Sequence, residues 1–501
     1  MRPNVVLVMT DQQRADFTRG AGFELDTMPF LDELGAAGTR YERGYTVLPA
    51  CVPARCSLLT GRFPKATGVR ENHAAPHIRR GADLVDVFRD TGYSTLFAGK
   101  THFHRRPEDF DRFAGPYFHT RGPADRGTPD QHRFEEWLHA LDHGAADEPS
   151  PYGIEAQFPY RIVDDAIAML DTRPPDRPFL GWLSFPEPHN PYQVPEPYFD
   201  LFPPEAVPER SCGPEAVGGK GDAWRWLRDE MERKRPGYDR DWRRYRSNYC
   251  GMLRLIDDQV RRFVAALEDR GLRDDTVIWF VSDHGDYVGD YGLQRKGAGM
   301  PECLVRVPYQ VTGPGIRAHH DSTNFVSLVD LLPTLCELIG AEIPAGVQGR
   351  SLLPLLTGEV ESAEEFATIH AECGIGGLPY PADARPELDP VRDYDYRGRP
   401  ILELNSVTQS GNTAMVRRED WKLLYDNLGR GELYDLADDP AELHNRFDDP
   451  QVHTIRDRLM ADLLRWTIRT DDPLPLEAYR PRRGPHNWYD TTGVTAGEGL
   501  A

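Results

Sequence analysis

The sequence predicts an α/β protein, a large and mostly parallel sheet sandwiched by helices, followed by a smaller C-terminal α+β subdomain with an antiparallel sheet. Three observations carry that expectation. Short apolar runs alternate with helical stretches, the pattern of strand–helix–strand units whose sheet is covered on both faces. The runs are β-rich, bounded by turn signals and too short for helices, as in Val5-Val6-Leu7-Val8-Met9 and Val277-Ile278-Trp279-Phe280-Val281. After about residue 358 the texture changes to brief strand-like segments at 414–416, 422–425 and 432–436, separated by turns, and then a helix over 452–467.

Residues 5–9 start the sheet. Residues 26–37 read as a helix, with Thr27 as its cap and Pro29 in the first turn, where a missing N–H costs nothing. The next helix, 83–91, stops at Gly92, and 94–98 return as a strand. A strand over 179–185 opens into Pro186, Pro188, Pro191, Pro195 and Pro197, a proline density that reads as loop. Met252, Ile256, Val260, Phe263 and Leu267 share one helical face, Gly271 ends that helix, and 277–281 is the strand after it. The expected boundaries are 1–360 for the α/β domain, 361–479 for the α+β subdomain and 480–501 for an extended arm or disordered tail. A terminal arm of this kind is compatible with a homo-oligomer.

Composition narrows the function. Of 501 residues, 59 are Lys or Arg and 80 are Asp or Glu, a net charge of −21 that argues against wrapping nucleic acid or lying on an anionic membrane. No apolar run approaches the ~20 residues of a membrane span. Met1-Arg2-Pro3 leads straight into the first strand without a secretory pattern, so a cytoplasmic location is expected. Cysteines at 51, 56, 212, 250, 303, 336 and 373 are odd in number and contain no CxxC, which is neither a disulfide framework nor a zinc spacing. A large enzyme is the default reading.

Two strands end in candidate ligands. Residues 5–9 run into Thr10-Asp11-Gln12, and 277–281 into Ser282-Asp283-His284-Gly285-Asp286. In a parallel sheet the carboxyl ends share one edge, so Asp11, Gln12, Asp283 and His284 converge as a plausible cage for a divalent cation. Taken singly, each segment reads more often as an ordinary strand end; the pairing favours a site. His102 and His104 lack partners at any usual zinc spacing.

The most specific block is Cys51-Val52-Pro53-Ala54-Arg55-Cys56-Ser57-Leu58-Leu59-Thr60-Gly61-Arg62. It resembles the signature of the formylglycine-dependent sulfatases, a Cys-x-Pro-Ser/Ala-Arg block followed by Thr-Gly. Further landmarks are similar to that family in the same order: Gly99-Lys100-Thr101-His102, Pro188-His189-Asn190-Pro191-Tyr192, Lys296 beyond Asp283-His284-Gly285, and Glu432-Leu433-Tyr434-Asp435-Leu436 with Asp439-Pro440 and Glu442. The resemblance spans residues 4 to about 446 and implies the alkaline phosphatase-like fold.

What the resemblance implies about chemistry is specific. Cys51 becomes formylglycine through a formylglycine-generating enzyme, and the hydrated aldehyde attacks the ester. Asp11, Gln12, Asp283 and His284, with the modified Cys51, hold one divalent cation: calcium first, manganese or magnesium as alternatives. Arg55 and Lys100 hold the nucleophile, Lys296 neutralises sulfate oxygens, His189 protonates the leaving oxygen, and His102 takes a proton back. Lys100, His189, Lys296 and Asn72 are the implied contacts to a small anionic ester, Asn72 through its likeness to the phosphonate-hydrolase branch. The chain departs from the commoner family pattern in having Gln12 where many members carry a second aspartate, and His284 where Asn is frequent. Both departures occur in the phosphonate monoester and phosphodiester hydrolase branch. A sulfate monoesterase, acting on a sulfated sugar or an aryl sulfate, is therefore the first expectation, and a phosphonate monoester or phosphodiester hydrolase the alternative. Leaving-group recognition is expected from segments 105–160, 202–241 and 374–400.

Overall fold

Residues Asn4–Asp11 form strand β1, all eight of them buried, because the sheet is covered on both faces. The computed structural model describes residues 2–379 and 410–471, except 73 and 143. The expected tail at 480–501, and 380–400 of the segment expected to read the leaving group, lie outside the described residues.

Seven more strands complete the main sheet: β2 (Thr39–Tyr45), β3 (Ser94–Lys100), β4 (Arg112–Tyr117), β5 (Phe179–Pro188), β6 (Thr276–Ser282), β7 (Tyr309–Thr312) and β8 (His320–Ser327). Their order is β4-β3-β5-β1-β6-β7-β2-β8. Every neighbouring pair is parallel except those made by β7, which runs against both β6 and β2. Side chains alternate faces with the pleat. Val6 and Val8 pack with the helices Pro29–Ala36, Phe158–Thr172 and Trp242–Asp269, while Val5, Leu7 and Met9 pack with Cys51–Thr60, Leu84–Asp90 and Leu331–Ile339. The predicted fold class is the observed one.

The helix expected over 26–37 is Pro29–Ala36, and its cap is not Thr27. The Thr27 hydroxyl donates to the Phe17 carbonyl instead. The first-turn N–H groups of Phe30 and Leu31 donate to the Asp257 carboxylate at 2.9 and 2.8 Å, so the long helix Trp242–Asp269 caps this one in trans.

A second sheet, ordered β12-β11-β10-β9, is antiparallel: β9 (Thr368–Gly376), β10 (Gly411–Arg418), β11 (Trp421–Asp426) and β12 (Gly431–Asp435). One face packs on Tyr45, Met300, Val305 and Phe325 of the larger layer. The other meets the helix His453–Asp471 together with Val47 and Phe63, which flank the helix starting at Cys51.

Asp83 ties the end of β3 in place. It is fully buried and caps the helix Leu84–Asp90 by accepting from Val85 N at 3.0 Å. It also accepts from His104 Nε2 at 2.6 Å and Arg105 Nε at 2.9 Å, just beyond Lys100 and His102. Burial alone would raise this carboxyl, but the hydrogen bonds from His104 and Arg105 override it and hold it at about 2. His104 is thus a partner of the cap, not part of a zinc tract. Asp83→Asn leaves Arg105 with Asp86 as its remaining close carboxylate, and should cost about 2 kcal/mol at pH 7. A group depressed in the folded state stabilises above its ordinary titration range and loses that contribution as pH falls towards 2. Urea midpoints of wild type and variant should therefore differ most at neutral pH and draw together below about pH 4.

Candidate active site

β3, β5, β1 and β6 are neighbours running the same way, so their carboxyl ends deliver Lys100, Ser184, Asp11 and Asp283 side by side. Cys51 enters from outside the sheet as the first residue of the helix Cys51–Thr60, where unpaired N–H groups and the helix dipole favour negative charge. Asn72 Oδ1 accepts from Val52 N at 3.1 Å and so holds the start of that helix. Arg55, one turn on, shares the face of Cys51. Its fully buried guanidinium donates through Nε to Asp283 Oδ2 at 2.7 Å, through Nη2 to Asp11 Oδ2 at 3.1 Å and through Nη1 to Ser184 Oγ at 2.7 Å. Ser184 Oγ in turn donates a hydrogen bond to the Lys100 carbonyl at 2.7 Å.

Four ligand atoms, one each from Asp11, Cys51, Asp283 and His284, lie within 4.8 Å of one another, all from buried residues. Cys51 Sγ is 3.3 Å from His284 Nε2, 3.7 Å from Asp11 Oδ1 and 3.9 Å from Lys100 Nζ. Lys100 Nζ also pairs with Asp11 Oδ2 at 2.7 Å. His284 Nδ1 meets the Gly285 carbonyl at 2.8 Å and must be the protonated nitrogen, which turns the Nε2 lone pair to the centre.

The electrostatics call for a cation. Burial, then the Lys296 ammonium, drive His284 well below its ordinary value and keep it a neutral ligand. Burial would raise Asp11, yet Lys100 and Arg55 hold it well below the carboxylate range. Burial and the neighbouring Asp11 charge push Asp283 up to about 7. A divalent cation among these atoms relieves the crowding of the two carboxylates; their oxygens suit calcium, whereas the His284 imidazole is compatible with manganese and less typical for calcium. The Cys51 thiol is itself pushed up to about 12, by burial first and Asp11 second, so it is a poor thiolate nucleophile as encoded.

On the other side of the cluster, Gln12 adopts a left-handed backbone at φ 71°. Its Nε2 donates to Asp286 Oδ2 at 2.6 Å, and its Oε1 accepts from Lys296 Nζ at 2.8 Å. Asp286 also accepts from Tyr192 OH at 2.7 Å and from Arg295 N at 2.7 Å. Lys296 Nζ lies 3.3 Å from His189 Nε2, while His189 Nδ1 meets the Asn190 carbonyl at 2.7 Å. The structure thus brings Asp11, Gln12, Cys51, Arg55, Lys100, His189, Asp283, His284 and Lys296 into one chain of contacts. Asn72 joins through the helix start, and the His102 ring, two residues beyond β3, packs 5.4 Å from Phe118. The structure adds Ser184 and Asp286 to the site. Asp286 stood in the Asp-His-Gly-Asp run, whereas nothing local marks Ser184.

With the cluster and its lysines in place, sequence comparison decides the family: the sulfatase family model matches residues 3–341. The chain belongs to the sulfatase family. It is a sulfuric ester hydrolase with the alkaline phosphatase-like fold. An arylsulfatase of Clostridium perfringens is 27% identical over 480 residues, covering 89% of this chain and 90% of that protein. A choline-sulfatase of Rhizobium meliloti is 28% identical over 480 residues, covering 90% and 83%. The crystal structure of a phosphonate monoester hydrolase of Agrobacterium radiobacter matches with a TM-score of 0.75 at 25% identity, covering 94% of this chain and 96% of that one.

Removing one carboxylate of the cage tests the cation site. Asp283→Ala should weaken divalent cation binding more than tenfold, read as metal content after desalting. Retention of the wild-type stoichiometry would remove Asp283 from the ligand set.

Proposed function

We propose that the enzyme hydrolyses a sulfate monoester, of a sulfated carbohydrate or an aryl alcohol, using a formylglycine nucleophile made from Cys51. The supporting observation is the setting of Cys51. Its sulfur is buried at a helix start, within 4 Å of Lys100, His284 and Asp11, in a field that suppresses thiolate formation. An oxygen nucleophile in the same place needs no thiolate. We assign Asp11, Gln12, Asp283 and His284, with the modified Cys51, to the cation, calcium first and manganese as the alternative.

In place, the cation and the hydrated aldehyde supply Lewis acidity and a hydroxyl nucleophile. The chain's own groups do the rest. Arg55, fixed on three partners, and Lys100 hold and orient the nucleophilic side chain. Lys296, between Gln12 and His189, binds sulfate oxygens and offsets their developing charge. His189, its Nδ1–H held by the Asn190 carbonyl, protonates the leaving oxygen from Nε2 in its doubly protonated form and becomes the neutral imidazole that accepts from the Lys296 ammonium. His102 accepts the proton released when sulfate departs. A chain of net charge −21 can host this chemistry because its cations are gathered in one cleft.

The Gln12 and His284 departures, with the structural likeness to a phosphonate monoester hydrolase, favour one second reading: a phosphonate monoester or phosphodiester as substrate. Turnover of 4-nitrophenyl sulfate and a phenyl phosphonate ester, side by side in calcium and in manganese, separates the two. The first reading expects the sulfate ester to be preferred, and Cys51→Ala to lose at least about a thousandfold in kcat. Intact mass should show Cys51 as the aldehyde in active enzyme, its CH2SH group converted to CHO. Full activity with an unmodified thiol would overturn the nucleophile assignment.

A further inference from the structure

Immediately after β4 the chain makes a tight turn at Phe118 to Arg121. Phe118 N donates to the Arg121 carbonyl at 2.7 Å, and the Arg121 guanidinium lies over the Phe118 ring, 5.2 Å from its centre. The preceding residue, Tyr117, is buried and donates to Asp165 Oδ2 at 2.8 Å, which anchors the turn to the helix Phe158–Thr172. Two consecutive rings of this turn lie on the two histidines assigned to proton transfer. Phe118 packs on His102 at 5.4 Å, and His119 stacks on His189 with centroids 4.7 Å apart and planes 24° apart.

We propose that this turn is the positioning element for proton transfer, with His119 as the positioning residue of His189. The proposal rests on the reading of His189 as the acid for the leaving group. The Asn190 carbonyl and the Lys296 ammonium engage the two ring nitrogens of His189 along its edge, but such in-plane contacts oppose rocking about the line that joins them only weakly. A flat ring stacked on its face removes that freedom and keeps Nε2 beside Lys296, where the leaving oxygen must be met. Stacking contributes little in stability, so its loss should appear where proton delivery limits the rate. That is the case for leaving groups too basic to depart unaided.

The test uses cation-loaded, mature enzyme and a leaving-group series: 4-nitrophenyl, phenyl and alkyl sulfate, or the matching phosphonate esters if those are the ones turned over. His119→Ala should lower kcat for the phenyl ester about fivefold more than for the 4-nitrophenyl ester, with KM little changed. His119→Phe, which keeps a ring on His189, should restore most of that loss and guards against a folding defect in the alanine variant. Equal losses across the series, or a phenylalanine variant as impaired as the alanine one, would overturn the proposal. His189→Ala is the reference and should steepen the same dependence further. If it does not, the acid assignment falls and this proposal with it; if it does while His119→Ala leaves the dependence unaltered, only the positioning role falls.

Discussion

Arg55 lies fully buried between the carboxylates of Asp11 and Asp283, 3.1 and 2.7 Å from them, with Ser184 taking a third donor. Burying three charges costs several kcal/mol each before any interaction is counted, so such a cluster persists only where geometry and further hydrogen bonds offset the cost. Here both carboxylates come from the ends of adjacent parallel strands, β1 and β6, and the guanidinium from a helix packed across them. The fork shape of arginine lets one side chain serve both acids. Asp11 and Asp283 balance Arg55 and Lys100. A dication and Lys296 then leave the cleft positive, which suits a small anionic ester in an otherwise acidic chain.

The fold is what makes that balance reachable. Lys100, Ser184, Asp11 and Asp283 stand far apart in sequence but end four neighbouring strands of one sheet. The segment beyond β3 is pinned by Asp83 through His104 and Arg105, so Lys100 is fixed at both ends of its approach. Gln12 turns its amide by giving Nε2 to Asp286, which leaves Oε1 for Lys296. Arg55 and Gln12 are each oriented by a partner with no assigned contact to substrate, Ser184 and Asp286.

Much of this was legible in the sequence, for identifiable reasons. β1 and β6 are continuous apolar runs because both faces of the central sheet are covered. β2, near the sheet edge, mixes Arg40, Glu42 and Arg43 with Tyr41 and Tyr45, and no single period marks it as a strand. The short β7 and the half-polar β8 were hidden in the same way. Thr27 had the composition of a cap, yet the cap came from Asp257, a contact across more than two hundred residues that local chemistry does not announce. The same holds within the site. Cys51, Arg55, Lys100, His102, His189 and Lys296 stand in short motifs, whereas Ser184 and His119 acquire meaning only from the residues that folding places against them.

One planar guanidinium, that of Arg55, holds the two carboxylates in register for the cation and the nucleophile. Arg55→Lys keeps the charge but reaches one partner where the native side chain reaches three. The direct measurement is kcat/KM for the preferred ester together with bound cation content in the folded lysine variant. In that variant kcat/KM should be at least about a hundredfold lower, with cation content reduced. A lysine variant with full cation content and kcat/KM within about threefold of wild type would contradict it.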